Sequence, residues 1–162
     1  MIFYSRMNCK GDHQADKEYG FSLPQWNKEL ERLYPNVCFV LDTLKMKGYK
    51  LGEIANQSLG TKERLKRYGI LNLFDGIIAS AEEGVSKLDY RIFKFALEQA
   101  NCLPCEAVMI GDRLDNDIVP ANALGMKTVW IKQGLGQYYN VRSIQERPDE
   151  TIHTLEQLLD VF

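Results

Sequence analysis

A short apolar run that stops at a glycine and meets three carboxylates constrains this chain more than any other feature. Ala107 to Ile110 reads as a buried strand, Gly111 ends it, and Asp112, Asp115 and Asp117 follow. Open α/β sheets place ligands at the carboxyl ends of parallel strands. Hard oxygen donors in that position suit Mg²⁺, which takes one or two carboxylates plus substrate phosphate. Upstream, Gly76 to Ala79 is another apolar run, and Lys87 stands in the loop Ser80-Ala81-Glu82-Glu83-Gly84-Val85-Ser86-Lys87 that follows it. A lysine and a carboxylate pair at successive strand ends are the parts a phosphoryl-transfer site needs.

The 162 residues suffice for one domain with a real core. Hydrophobic content of 45% and charged content of 26% are those of an ordinary globular protein. A net charge of -2 gives no reason to expect nucleic acid or an anionic membrane as partner. The longest apolar run, Val37 to Leu41, is far too short to span a bilayer. Met1 to Tyr4 lacks a basic region followed by a long apolar stretch, so cytoplasmic residence is the expectation. Cys102-Leu103-Pro104-Cys105 falls between a helix and the next strand, whereas a redox CxxC opens a helix after a strand. Cys9, Cys38, His13 and His153 lack the paired spacing of a zinc site.

Periodicity orders the rest. Met1 to Gly20 is polar and reads as loosely ordered, and Trp26 to Leu33 as a short helix stopped by Pro35. Val37, Val40, Leu41 and Leu44 fall on one helical face, ended near Gly48. Lys50 to Ala55 reads as a strand, and Thr61 to Tyr68 as a charged helix stopped by Gly69. Gly76 to Ser80 is the next strand. Phe93, Ala96, Leu97 and Ala100 line a helix that begins near Asp89. Beyond the strand at Ala107, a short helix covers about Asp117 to Leu124, with Pro120 in its first turn, and Lys127 to Ile131 is a strand. Gly134 to Pro148 reads as loop, and Thr154 to Gln157 has capping-box spacing before a last helix. Strands alternating with helices imply a parallel, helix-covered sheet.

From about Tyr34 onward, the chain resembles the haloacid dehalogenase-like (HAD) superfamily, in the branch whose cap is inserted between the first and second motifs. The resemblance is carried by Gly48 through Gln57, by Ser80 through Asp89, and by Met109 through Asp117. It implies an α/β class, a Rossmann-like parallel sheet covered by helices. Residues 35–162 would form that core, and residues 1–34 a polar remnant of a helical cap. The family's lysine, which neutralises charge on nucleophile and phosphoryl group, maps to Lys87. Its Mg²⁺-holding acids map to Asp112 and Asp117, while Asp115 has no family role. Haloacid dehalogenases proper lack this Gly-Asp motif, so the resemblance favours the phosphatase type.

The departures matter as much. The second motif usually offers a Ser or Thr hydroxyl before an Asn, but here Ala55 precedes Asn56, leaving phosphate to Asn56, backbone N–H groups or Ser58. Leu88 replaces the proline common after the lysine. The family's nucleophile sits in an Asp-x-Asp motif on the central strand, and no such motif precedes Tyr34. The expectation is therefore a sheet missing its first core strand and most of its cap.

Two functions follow as expectations. One is a Mg²⁺-dependent phosphomonoesterase for a small phosphorylated metabolite, whose aspartate nucleophile is absent from this chain. The other is a catalytically inactive HAD-like binding protein or a truncated gene product, with self-association or a partner chain covering the incomplete sheet.

Overall fold

The computed structural model describes residues 2–4, 32–56, 59–87 and 89–162. Six strands form one sheet: β1 (Ile2–Tyr4), β2 (Leu51–Ala55), β3 (Gly76–Ala79), β4 (Val108–Gly111), β5 (Lys127–Ile131) and β6 (Glu150–Ile152). Every pairing is parallel and the order is β3-β2-β1-β4-β5-β6. The connections run outward from β1 in one direction and then in the other. The carboxyl ends of β1 and β4 therefore flank the topological switch point, where open α/β sheets bind ligands.

The helices are α1 (Val37–Met46), α2 (Thr61–Arg67), α3 (Ser80–Glu83), α4 (Arg91–Ala100), α5 (Val119–Leu124) and α6 (Leu158–Val161). α1 buries Val37, Val40, Leu41 and Leu44, the stripe its spacing predicts. α4 buries Ile92, Phe93, Ala96 and Leu97 and stops at Asn101, whose φ of 49° is left-handed. β2 is buried at all five positions, as a strand covered on both faces must be. Alternation along the strands divides the core. Leu51, Ile110, Val129 and Ile131 pack with α1 on one face, while Ile54, Ile78 and Met109 pack with α4 and α5 on the other.

The parallel α/β architecture matches the sequence reading, with five differences. The middle of the sheet, expected to lack a strand, is held by Ile2–Tyr4, which pairs with Leu51–Glu53 and with Val108–Ile110. Three residues show no periodicity, yet Ile, Phe and Tyr all favour strands. The edge strand β6 is likewise too short to read. The expected helix from Asp117 starts earlier, as a π-turn over Leu114–Ile118 that leads into α5. Gly134–Tyr138, read as loop, forms a 3₁₀ turn. The Thr154 capping box is present, but it opens a 3₁₀ turn before α6. The helix expected at Trp26 to Leu33 and most of segment 1–34 lie outside the described residues. Among the described residues no helix is long and apolar enough to cross a membrane.

Candidate active site

The site assembles where β2, β3 and β4 end. β3 leads into α3, Gly84 turns the chain in the left-handed region (φ 67°), and the loop delivers Lys87. The lysine is only 2% exposed. Its Nζ donates to Oδ1 of Asp117 at 3.0 Å, and Asp117 is 1% exposed. The other Asp117 oxygen accepts the Arg113 backbone N–H at 3.1 Å, and the Asp117 N–H returns to the Arg113 carbonyl at 3.0 Å. The π-turn thus folds Asp117 back onto the end of β4. Gly111 makes this approach available: a Cβ there would lie 2.4 Å from the Asp117 side chain.

Asp112 is the first residue after β4 and is also buried. Burial, and then the neighbouring Asp117 charge, push its carboxyl up to about 7, with Lys87 pulling the other way. Its Oδ1 has no hydrogen-bond partner among the described residues. Its main-chain carbonyl accepts the Trp130 indole N–H at 3.1 Å.

Asn56 follows β2, and its side-chain oxygen accepts the Lys87 backbone N–H at 2.7 Å. Asn56 therefore ties the end of β2 to the lysine loop, a task distinct from the phosphate contact expected of it. Asp115 turns outward, as its lack of a family role implies. It pairs with the Arg113 guanidinium, which lies 6.0 Å from the Tyr139 ring centre. Ser58 and Leu88 lie outside the described residues. Of the sequence candidates, Lys87, Asp117 and Asn56 are linked by hydrogen bonds, and Asp112 acts on them through charge.

No motif in the sequence singles out Trp130. Its place beside Gly111 in the β4–β5 register could have signalled more, since a buried indole N–H needs an acceptor. Glu53 was also missed: it is a buried carboxylate on β2 that faces the layer of Val37, Leu41 and Leu65.

The residues present fit a small hard cation. A buried carboxylate oxygen without a partner requires an explanation, and a bound cation is one. No group of three or more His, Cys, Asp or Glu comes together among the described residues. A cation here would take two carboxylates at most from them and fill its shell with water and substrate oxygens, the habit of Mg²⁺.

Comparison with known proteins agrees with this geometry. The haloacid dehalogenase-like hydrolase family matches residues 6–131. A glyceraldehyde 3-phosphate phosphatase of Methanocaldococcus jannaschii is 39% identical over 82% of this chain and 57% of its own length. One from Methanopyrus kandleri is 41% identical over 79% of this chain and 55% of its own length. The chain thus spans a little over half the length of these relatives. A HAD phosphatase from Thermococcus onnurineus superposes with a TM-score of 0.70 at 32% identity, over 80% of this chain and 58% of that one. A parallel sheet of this order, a buried lysine on the loop after β3, a Gly-Asp pair at the end of β4 and a match over most of the sequence agree: the chain belongs to the haloacid dehalogenase-like hydrolase family.

Proposed function

We propose that this site is the lysine and metal half of a Mg²⁺-dependent phosphomonoesterase acting on a small phosphorylated metabolite. The observation that carries the reading is the buried Lys87–Asp117 pair beside Asp112, whose Oδ1 faces no partner among the described residues. Asp112 and Asp117 would hold Mg²⁺, directly or through water. The bound ion would supply charge stabilisation to the transferring phosphoryl group. Lys87 would place an ammonium against phosphoryl oxygens in a water-poor rim, where its charge acts most strongly. Asn56 would keep that ammonium in place through the Lys87 backbone. The named relatives act on a three-carbon phosphate ester, which supports a substrate of that size.

The family reaction begins with attack of an aspartate on phosphorus, and water then hydrolyses the acyl-phosphate. That aspartate belongs at the carboxyl end of the central strand. Here Ser5-Arg6-Met7-Asn8 follows Tyr4 in the sequence, with no carboxylate among them. Together with Ala55, which offers no hydroxyl, this favours a second reading, in which the chain binds metal and phosphate without turnover.

One assay separates the two. The purified protein is given Mg²⁺ with p-nitrophenyl phosphate or glyceraldehyde 3-phosphate, and phosphate release is followed alongside binding of inorganic phosphate. Mg²⁺-dependent release that Lys87→Ala removes supports the phosphatase. Mg²⁺-dependent phosphate binding without release supports the second reading. Neither binding nor release contradicts both.

A further inference from the structure

We propose that Trp130 is a positioning residue for the metal site, acting through the main chain of Asp112. The inference rests on the reading of Asp112 as a metal ligand and assigns a task to a residue outside the family motifs.

Trp130 lies on β5 directly beside Gly111 of β4. Its side chain is buried against Leu114 and Ile118 of the π-turn that carries Asp117. Its Nε1 donates to the Asp112 carbonyl at 3.1 Å. The Lys132 Nζ lies over the indole, 4.8 Å from the ring centre. The Asp112 peptide is closed in from a second direction by Gly136. A Cβ on Gly136 would lie 2.5 Å from that same carbonyl oxygen and 3.1 Å from the Asp112 Cβ. Gly136 has no positive φ, so only this contact requires glycine there.

The peptide is thus held between an indole donor and a glycine with no room to spare. Holding the peptide fixes where the Asp112 carboxylate points. Within that carboxylate, Oδ1 has no partner among the described residues, whereas both Asp117 oxygens do. A carboxylate oriented by its backbone keeps its lone pairs for a cation. Groups that orient a ligand in this way typically change metal affinity about 10- to 100-fold when removed.

The test is a Mn²⁺ titration followed by the free-ion resonance signal, on the wild type, D112N, W130F and G136A, each melted separately. Trp130→Phe keeps the ring and removes the N–H. Gly136→Ala presses the same peptide from the other side. Mn²⁺ binding by the wild type that D112N abolishes establishes the metal reading. A wild type that does not bind, or a D112N that still does, overturns that reading and this inference with it. With the metal reading standing, a folded W130F that binds Mn²⁺ about tenfold more weakly supports the inference. A folded W130F with wild-type affinity, even at a lower melting temperature, makes Trp130 a packing residue and overturns it. If W130F does not fold, G136A decides: a similar loss of affinity supports the inference and wild-type affinity overturns it.

Discussion

The two rims of the sheet each carry a lysine–aspartate pair of similar length, and they differ in one respect. At the amino rim Lys45 reaches both oxygens of Asp75 at 2.8 Å, with side chains 33% and 35% exposed. At the carboxyl rim Lys87 reaches Asp117 at 3.0 Å, with side chains 2% and 1% exposed. Asp75 also accepts the Leu51 N–H at 2.8 Å, and Asp149 does the same for Thr128 at the start of β5. The amino rim therefore uses aspartates to tie strand starts together, in contact with water. Exposed pairs of this kind contribute about 0–1 kcal/mol. A buried pair must overcome a desolvation cost of several kcal/mol per ion, so it is a poor way to tie strands. Its presence at the switch point, beside the buried Asp112, marks that rim as the candidate site.

Removing one partner at each rim sharpens the contrast. Lys87→Met leaves Asp117 buried and unpaired, and should cost about 3–5 kcal/mol in urea unfolding at pH 8. A loss below about 1 kcal/mol would mean that the carboxyl rim is as wet as the amino rim.

Proton linkage gives the next effect. Asp112 titrates at about 7 in the folded protein against an ordinary value of 3.8. Between those values the folded state holds more protons than the unfolded chain, so this group makes the metal-free protein less stable as pH rises from about 4 to about 7. Above that range the carboxylate is charged and ready for a cation. Mg²⁺ should therefore raise the melting temperature more at pH 8 than at pH 6, and D112N should remove the difference. An equal shift at both pH values would contradict the assignment.

Two smaller effects complete the series. Asn56→Ala removes the acceptor of the Lys87 N–H and should cost about 1 kcal/mol, with loss of phosphate affinity beyond what that destabilisation explains. Lys45→Met should cost about 0–1 kcal/mol and leave Mg²⁺ binding unchanged. Weakened Mg²⁺ binding in that variant would dissolve the distinction between the rims.

The sequence made the site more legible than the sheet that carries it. Lys87, Asp112 and Asp117 were readable because motif spacing is local: a glycine, an aspartate five residues before the next, and a lysine after the preceding strand. Asn56 was readable as a site residue, but its hydrogen bond to Lys87 depends on how two loops meet. Trp130 and Gly136 were hidden for the same reason, since their contact with Asp112 crosses between neighbouring elements. The helices α1 and α4 announced themselves through apolar stripes at helical spacing, buried in full in α1 and at Phe93, Ala96 and Leu97 in α4. β1 and β6 did not, because three residues carry no period and their pairing is decided by the sheet they join.

The central claim is that the carboxyl rim binds a divalent cation through Asp112. The direct measurement is calorimetric titration of Mg²⁺ into the wild type and D112N at pH 8. The account predicts saturable binding in the wild type and none in D112N. Equal binding by both proteins, or none by the wild type, would contradict it.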